Sequence, residues 1–197
     1  MQIFPTEIER FGVNPDQNEE LFQNIIDYIK TEEKESSSTR KYSIRGDKSY
    51  HSKDLLCMLD DDWSRQLHGL IWLATSNYFQ KFHNKVIPSI ESCRTHCWGM
   101  LMRTGGSSAV HCHPHANISG VLWLRVPPDL ESPEGDFVFL DPRQRALLDK
   151  NALFLEKHSI SPNIGSGIVF PSWLDHYVEP HFCEGDRISI AWNMEFM

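Results

Sequence analysis

The chain has 197 residues, 40% of them hydrophobic and 23% charged, which suits one ordinary globular domain with a real core. A formal net charge of −8 with no Lys/Arg block argues against nucleic acid or an anionic membrane as partner. No apolar run is long enough to span a bilayer, and the opening MQIFPTEIERF lacks the basic-then-apolar pattern of a signal peptide.

Asn14-Pro15-Asp16-Gln17 reads as a helix start, with Asn14 or Asp16 as cap. Leu21, Ile25, Tyr28 and Ile29 then recur at helical spacing, and the pattern fades over Thr31–Arg40, where Ser36-Ser37-Ser38 marks a loop. A second helix is predicted over Asp61–His83, with Trp63, Leu67, Leu70, Ile71, Ala74, Tyr78 and Phe82 on its apolar face. After residue 90 short apolar segments alternate with Gly, Pro, Asp and Asn: His96–Met102, Gly120–Val126, Asp136–Leu140, Gly167–Phe170 and Arg187–Phe196. That spacing predicts an antiparallel β-barrel or sandwich. In the last segment Ile188, Ile190, Trp192 and Met194 share one face, and Arg187, Ser189, Ala191 and Asn193 the other. Arg143–Lys150 reads as a short helix between strands. The expected organisation is a single domain over 1–197, α+β but mainly β, with a helical part (1–90) packed on a β core (91–197).

The five cysteines (Cys57, Cys93, Cys97, Cys112 and Cys183) are odd in number and match no disulfide framework. Reduced thiols and an intracellular, cytoplasmic setting are expected. Cys93 and Cys97 could share a zinc, but CxxxC alone is weak evidence.

Ten histidines is a high count, and three fall in His111-Cys112-His113-Pro114-His115. On a strand, His111 and His113 project to the same side. With a third ligand from a distant strand they would make a facial metal site, and His176 in Phe170-Pro171-Ser172-Trp173-Leu174-Asp175-His176 is the best candidate. Three ligands on one face leave positions open for chemistry, whereas a closed tetrahedral site would be structural. The imidazoles alone do not select iron over zinc or copper. His115 is an alternative partner for His113 or a substrate contact, while His68, His83, His158 and His181 read as surface or hydrogen-bonded residues.

Arg187 and Ser189 lie two apart on a strand and face the same way, so a guanidinium fork and a hydroxyl could hold a carboxylate. If that strand neighbours the one bearing His176, a dicarboxylic keto acid could chelate the metal and pair with Arg187. The bland reading of Arg187 is a solvated charge after the turn Glu184-Gly185-Asp186.

In order, His111-Cys112-His113-Pro114, Ser119-Gly120-Val121-Leu122-Trp123-Leu124, Asp141-Pro142-Arg143, Phe170-Pro171-Ser172 with His176, and Arg187-Ile188-Ser189 form one pattern. It resembles the iron(II)/2-oxoglutarate-dependent oxygenases, more narrowly a phage-associated or bacterial group of them. Tyr50-His51-Ser52-Lys53-Asp54-Leu55 and Trp98 also fit. The resemblance implies a double-stranded β-helix (jelly-roll) core with N-terminal supporting helices. It implies Fe(II) on His111, His113 and His176, 2-oxoglutarate on Arg187 with help from Ser189, and consumption of O2 with release of succinate and CO2, most commonly in a hydroxylation. It also implies a bacterial cell or a virus-infected host cell. The superfamily usually has Asp or Glu where His113 stands, and an imidazole there would fill the space that halogenating relatives leave for a halide. Trp98, His115 and Arg143 are the candidate substrate or pocket residues, with core packing (Trp98) and bracing of the Asp141 loop (Arg143) as their structural alternatives. The expected partner is a small-molecule or peptide substrate, with room for a homodimer.

Two other readings compete. Gly105 ahead of His111-Cys112-His113, and Pro171 with His176, partly match a cupin signature, although Ala116, Asn117 and Ile118 stand where its Glu belongs and Trp173 where its Gly belongs. A three-His cupin would oxidise its substrate without 2-oxoglutarate and would give Arg187 no task. A non-catalytic metal-binding module, with Cys97 and Cys112 joining the histidines around zinc, is the other.

Overall fold

The computed structural model describes residues 5–35, 48–87, 89–143 and 157–196. In chain order its elements are β1 (Glu9–Gly12), α1 (Glu19–Glu35), β2 (Ser49–His51), α2 (Asp62–His83), β3 (Cys93–Met102), β4 (Ser108–His111), β5 (Ile118–Arg125), β6 (Phe137–Leu140), β7 (Lys157–Ile160), β8 (Ser166–Pro171), β9 (His176–Val178) and β10 (Arg187–Phe196). The strands form a six-stranded sheet, β1-β8-β5-β10-β3-β2, and a four-stranded sheet, β4-β9-β6-β7, antiparallel throughout. Facing antiparallel sheets with two helices against one of them make the jelly-roll core with N-terminal helices that the sequence leads one to expect.

Strand alternation divides β10 between two cores. Ile188, Ile190, Trp192 and Met194 join Leu21, Ile25 and Ile29 of α1 and Leu67, Ile71 and Tyr78 of α2 outside the large sheet. Between the sheets Met102, Val121, Trp123, Ile168 and Phe170 meet Phe137, Phe139, Ile160 and Val178. Each fully buried aliphatic or aromatic side chain is worth roughly 1.5–3 kcal/mol, so the outer core is a main reason the helices stay docked. Gly120 of β5 lies under the Trp192 ring, where any Cβ would overlap the indole.

The boundaries differ from the sequence reading in ways that have causes. Asn14 does act as a cap, but for a turn: its Oδ1 accepts from Asp16 N at 2.9 Å and Gln17 N at 3.4 Å, and α1 begins only at Glu19. α2 follows the predicted span to within a residue and stops at Asn84, whose φ of 49° and ψ of 41° form a left-handed C-cap. β1, β2, β4, β7 and β9 have only three or four residues each, too few for a period to declare itself. The helix expected over Arg143–Lys150 falls, beyond Arg143, outside the described residues. All five cysteines are free thiols.

Candidate active site

The cavity between the sheets is lined by His51, Trp98, Met100, Met102, Ser108, His111, His113, Phe137, Phe170, His176, Arg187 and Ser189, among others. His111 ends β4 and His176 begins β9, and the two are register partners across that strand pair. His113 follows β4 rather than lying within it, yet its ring still turns to the same side. Ring centroids are 4.4 Å apart for His111 and His176, 5.1 Å for His111 and His113, and 5.2 Å for His113 and His176. One side-chain nitrogen from each lies within 4.8 Å of the others, a grouping that one metal ion can bridge. His115 is exposed and opens instead onto a neighbouring hollow with His96, Cys112, Asn193 and Glu195.

Hydrogen bonds orient two of these rings. Nδ1 of His111 lies 2.7 Å from Ala109 O, and Nδ1 of His176 lies 2.8 Å from Leu174 O. A carbonyl only accepts, so each Nδ1 carries the proton and each Nε2 keeps its lone pair, the arrangement seen in metal-ligating histidines. His176 also stacks on Phe137 (5.1 Å, 16°) and meets Phe170 edge-on at 5.0 Å. Burial, then the neighbouring histidines, push the pKa of His176 down to about 3. Burial, then His111 and His51, push that of His113 down to about 4, and burial also lowers that of His111. All three are therefore neutral donors near neutral pH, the form a metal requires.

Arg187 reaches the cavity from β10, in the sheet opposite β9 rather than beside it. It is 1% exposed. Its Nη1 lies 3.9 Å from Met102 Sδ, the guanidinium is 6.0 Å from the centre of the Trp123 ring, and Nε and Nη2 have no hydrogen-bond partner among the described residues. Burial lowers its pKa to about 10, so it remains cationic. A buried cation with unused donors is costly unless an anion completes it, and the two oxygens of a carboxylate match the guanidinium fork.

Residues 96–193, about half the chain, match the profile of the family described as 2OG-Fe(II) oxygenase. The chain belongs to the iron(II)/2-oxoglutarate oxygenases. Three solved oxygenases share the fold at low identity. A prolyl-4-hydroxylase from Pseudomonas putida is 14% identical with a TM-score of 0.65, over 98% of this chain and 94% of the other. HygX from Streptomyces hygroscopicus, with nickel and 2-oxoglutarate bound, is 13% identical with a TM-score of 0.64, over 98% and 84%. A prolyl hydroxylase from Trichoplax adhaerens, in complex with a hypoxia inducible factor peptide fragment, is 13% identical with a TM-score of 0.63, over 96% and 83%. A comparison with curated protein sequences gives no match.

Family membership sets aside the cupin and non-catalytic readings of this oxygenase. The zinc variant also lacks its cysteines: Cys97 is buried in the outer core, and Cys112 sits in the hollow beside His115. Arg143 is exposed, and its backbone N–H and guanidinium make three hydrogen bonds of 2.6–2.9 Å to Asp141. Trp98 lines the cavity, and its ring stacks on His51 (5.2 Å, 12°) and meets His113 edge-on at 5.8 Å.

Two parts of the site had no role assigned from sequence. His51, from the three-residue β2, is buried with Nδ1 2.6 Å from Ser52 O. Ser119 and Ser172 lock the turn carrying His113: Ser172 O accepts from His113 N at 2.8 Å, the two hydroxyls are 2.8 Å apart, and Ser119 Oγ donates to Asn193 Oδ1 at 2.6 Å. The motifs containing these serines were visible, but their contacts are non-local. No helix among the described residues is long and apolar enough to cross a membrane.

Proposed function

We propose that this oxygenase holds Fe(II) on His111, His113 and His176, binds 2-oxoglutarate through Arg187 with Ser189 assisting, and hydroxylates a small molecule or a peptide. The observation that carries the reading is the enclosed guanidinium of Arg187, with two N–H-bearing nitrogens unused, across one cavity from three converging imidazoles. The donor set fits the metal: three neutral nitrogens on one face satisfy half of an octahedron and leave the rest open. Arg187 fits the distal carboxylate of a keto diacid. Iron(II) and 2-oxoglutarate held there would let O2 act as the oxidant, with one oxygen atom passing into succinate as CO2 is lost and the other into the hydroxylated substrate.

The chain's own residues have separate tasks. The carbonyls of Ala109 and Leu174 fix the Nδ1 protons of His111 and His176, so those rings need not reorient to bind metal. Phe137, Phe139 and Phe170 wall His176 from water. Ser119 and Ser172 hold the His113 backbone. Trp98 forms a wall of the cavity beside His113, and the hollow lined by His96, His115, Asn193 and Glu195 is the approach for substrate.

The test is an anaerobic titration of iron(II)-loaded protein with 2-oxoglutarate. A metal-to-ligand charge-transfer band should grow to one equivalent and be lost in Arg187→Gln. Iron that binds without His176, or a band that survives in Arg187→Gln, overturns these assignments.

A further inference from the structure

Asp136, immediately before β6, is completely buried. Its Oδ2 accepts from Ser132 Oγ at 2.8 Å, while Oδ1 has no partner among the described residues. Its main chain is pinned, since its carbonyl accepts from Glu179 N at 2.9 Å and its N–H donates to Pro133 O at 3.3 Å. The adjoining Gly135 packs along the Arg187 stem, where a Cβ would sit 3.6 Å from Arg187 Cδ. Asp136 is also the charge whose field acts on the Arg187 guanidinium. Yet the two do not hydrogen-bond: Arg187 Nε and Nη2 and Asp136 Oδ1 are all unpartnered. A buried acid and base held close but apart recover little of their desolvation cost. Ser132 holds one oxygen of that carboxylate, and the other points to no donor among the described residues.

We propose that Asp136 is a built-in competitor for the cosubstrate: its carboxylate balances Arg187 in the empty pocket and repels the distal carboxylate of 2-oxoglutarate in the filled one, holding affinity below what Arg187 alone would give. This rests on the reading of Arg187 as the cosubstrate anchor. In the filled pocket the distal carboxylate is itself the counter-charge that Arg187 needs. What Asp136 adds to the bound state is therefore mainly repulsion between two carboxylates in a dry pocket.

The experiment is calorimetry on Ni(II)-loaded wild type and Asp136→Asn, titrated with 2-oxoglutarate and with 2-oxobutyrate, which lacks the distal carboxylate. Asp136→Asn is near-isosteric and keeps an oxygen for Ser132. The Kd for 2-oxoglutarate should fall roughly tenfold, while that for 2-oxobutyrate stays the same. An unchanged or higher Kd for 2-oxoglutarate in the variant, with wild type binding normally, overturns the proposal and indicates a purely structural carboxylate. Wild type that binds both acids equally well instead overturns the Arg187 anchor, and the competitor with it. If Asp136→Asn does not fold, Ser132→Ala tests the same idea from the other side. With that hydroxyl gone the carboxylate should pair more closely with Arg187, and the 2-oxoglutarate Kd should rise severalfold; no rise overturns the proposal. Nickel stoichiometry should be unchanged in both variants.

Discussion

Metal-free protein should lose stability steeply in mild acid, and the loss should come from the histidine cluster. Burial holds the folded-state pKa of His176 at about 3 and that of His113 at about 4, against an ordinary value near 6.5 in the unfolded chain. Between those limits the unfolded state binds protons that the folded state refuses, so stability is full above about pH 6.5 and falls as the pH drops below it. At about pH 5 the gap from 6.5 is about 1.5 units, worth about 2 kcal/mol for His176. His113 is partly open to solvent and contributes less, which gives about 3–4 kcal/mol for the pair. His111 adds in the same direction. For a chain of this size that is a fall in Tm of roughly 6–16 °C between about pH 7.5 and about pH 5. Circular dichroism melts in chelator, run on wild type and on a His113→Gln/His176→Gln double variant, isolate the effect because carboxylate contributions cancel. The wild type should fall more steeply by that margin. Parallel slopes would refute the claim that these imidazoles are held neutral. Saturating nickel should restore the wild type only, more weakly as protons compete for the same nitrogens.

Arg187→Met should weaken 2-oxoglutarate binding by about 100-fold or more, as expected when one partner of a desolvated charge pair is lost, measured by calorimetry on nickel-loaded protein. Arg187→Lys should not restore it, because an ammonium does not offer the planar fork. His111→Ala and His176→Ala should each abolish stoichiometric metal uptake, whereas His115→Ala should keep it, as read by metal analysis after desalting. Gly120→Ala should destabilise by about 1–3 kcal/mol in urea melts, since the methyl displaces the Trp192 ring from a packed core.

The sequence made some parts of this molecule easy to read. The alternation along 187–196 declares both faces of β10, because period two over ten residues has one interpretation once Ile188, Ile190, Trp192 and Met194 are seen together. α2 was equally plain, with an apolar stripe over six turns. The clustered histidines flagged a candidate metal site because that residue type is scarce and its spacing meaningful. His51 was harder: its strand has three residues, and its place beside Trp98 depends on pairing with β3, about fifty residues away. Arg187 was picked out as an anchor, but its route was not, since β10 faces β9 across the sandwich and order along the chain does not reveal which strands pair. Asp136 gave no signal at all. A carboxylate in a Gly-Asp turn usually faces water, and only the folded chain shows this one fully buried.

The pairing of His111 with His176 also bears on how the protein ages in a cell. β4 is a four-residue edge strand whose register with β9 shifts between Ser108 and His111, so few backbone pairs hold that seam. An ion gripped by both rings would rivet that seam from inside. Iron scarcity would then act as mechanical loosening, with the edge peeling first and offering its backbone to hydrogen exchange and to proteases before the helix-backed sheet yields. The same ion would thus serve as reagent and as fastener, and the lifetime of the chain would follow the supply of iron.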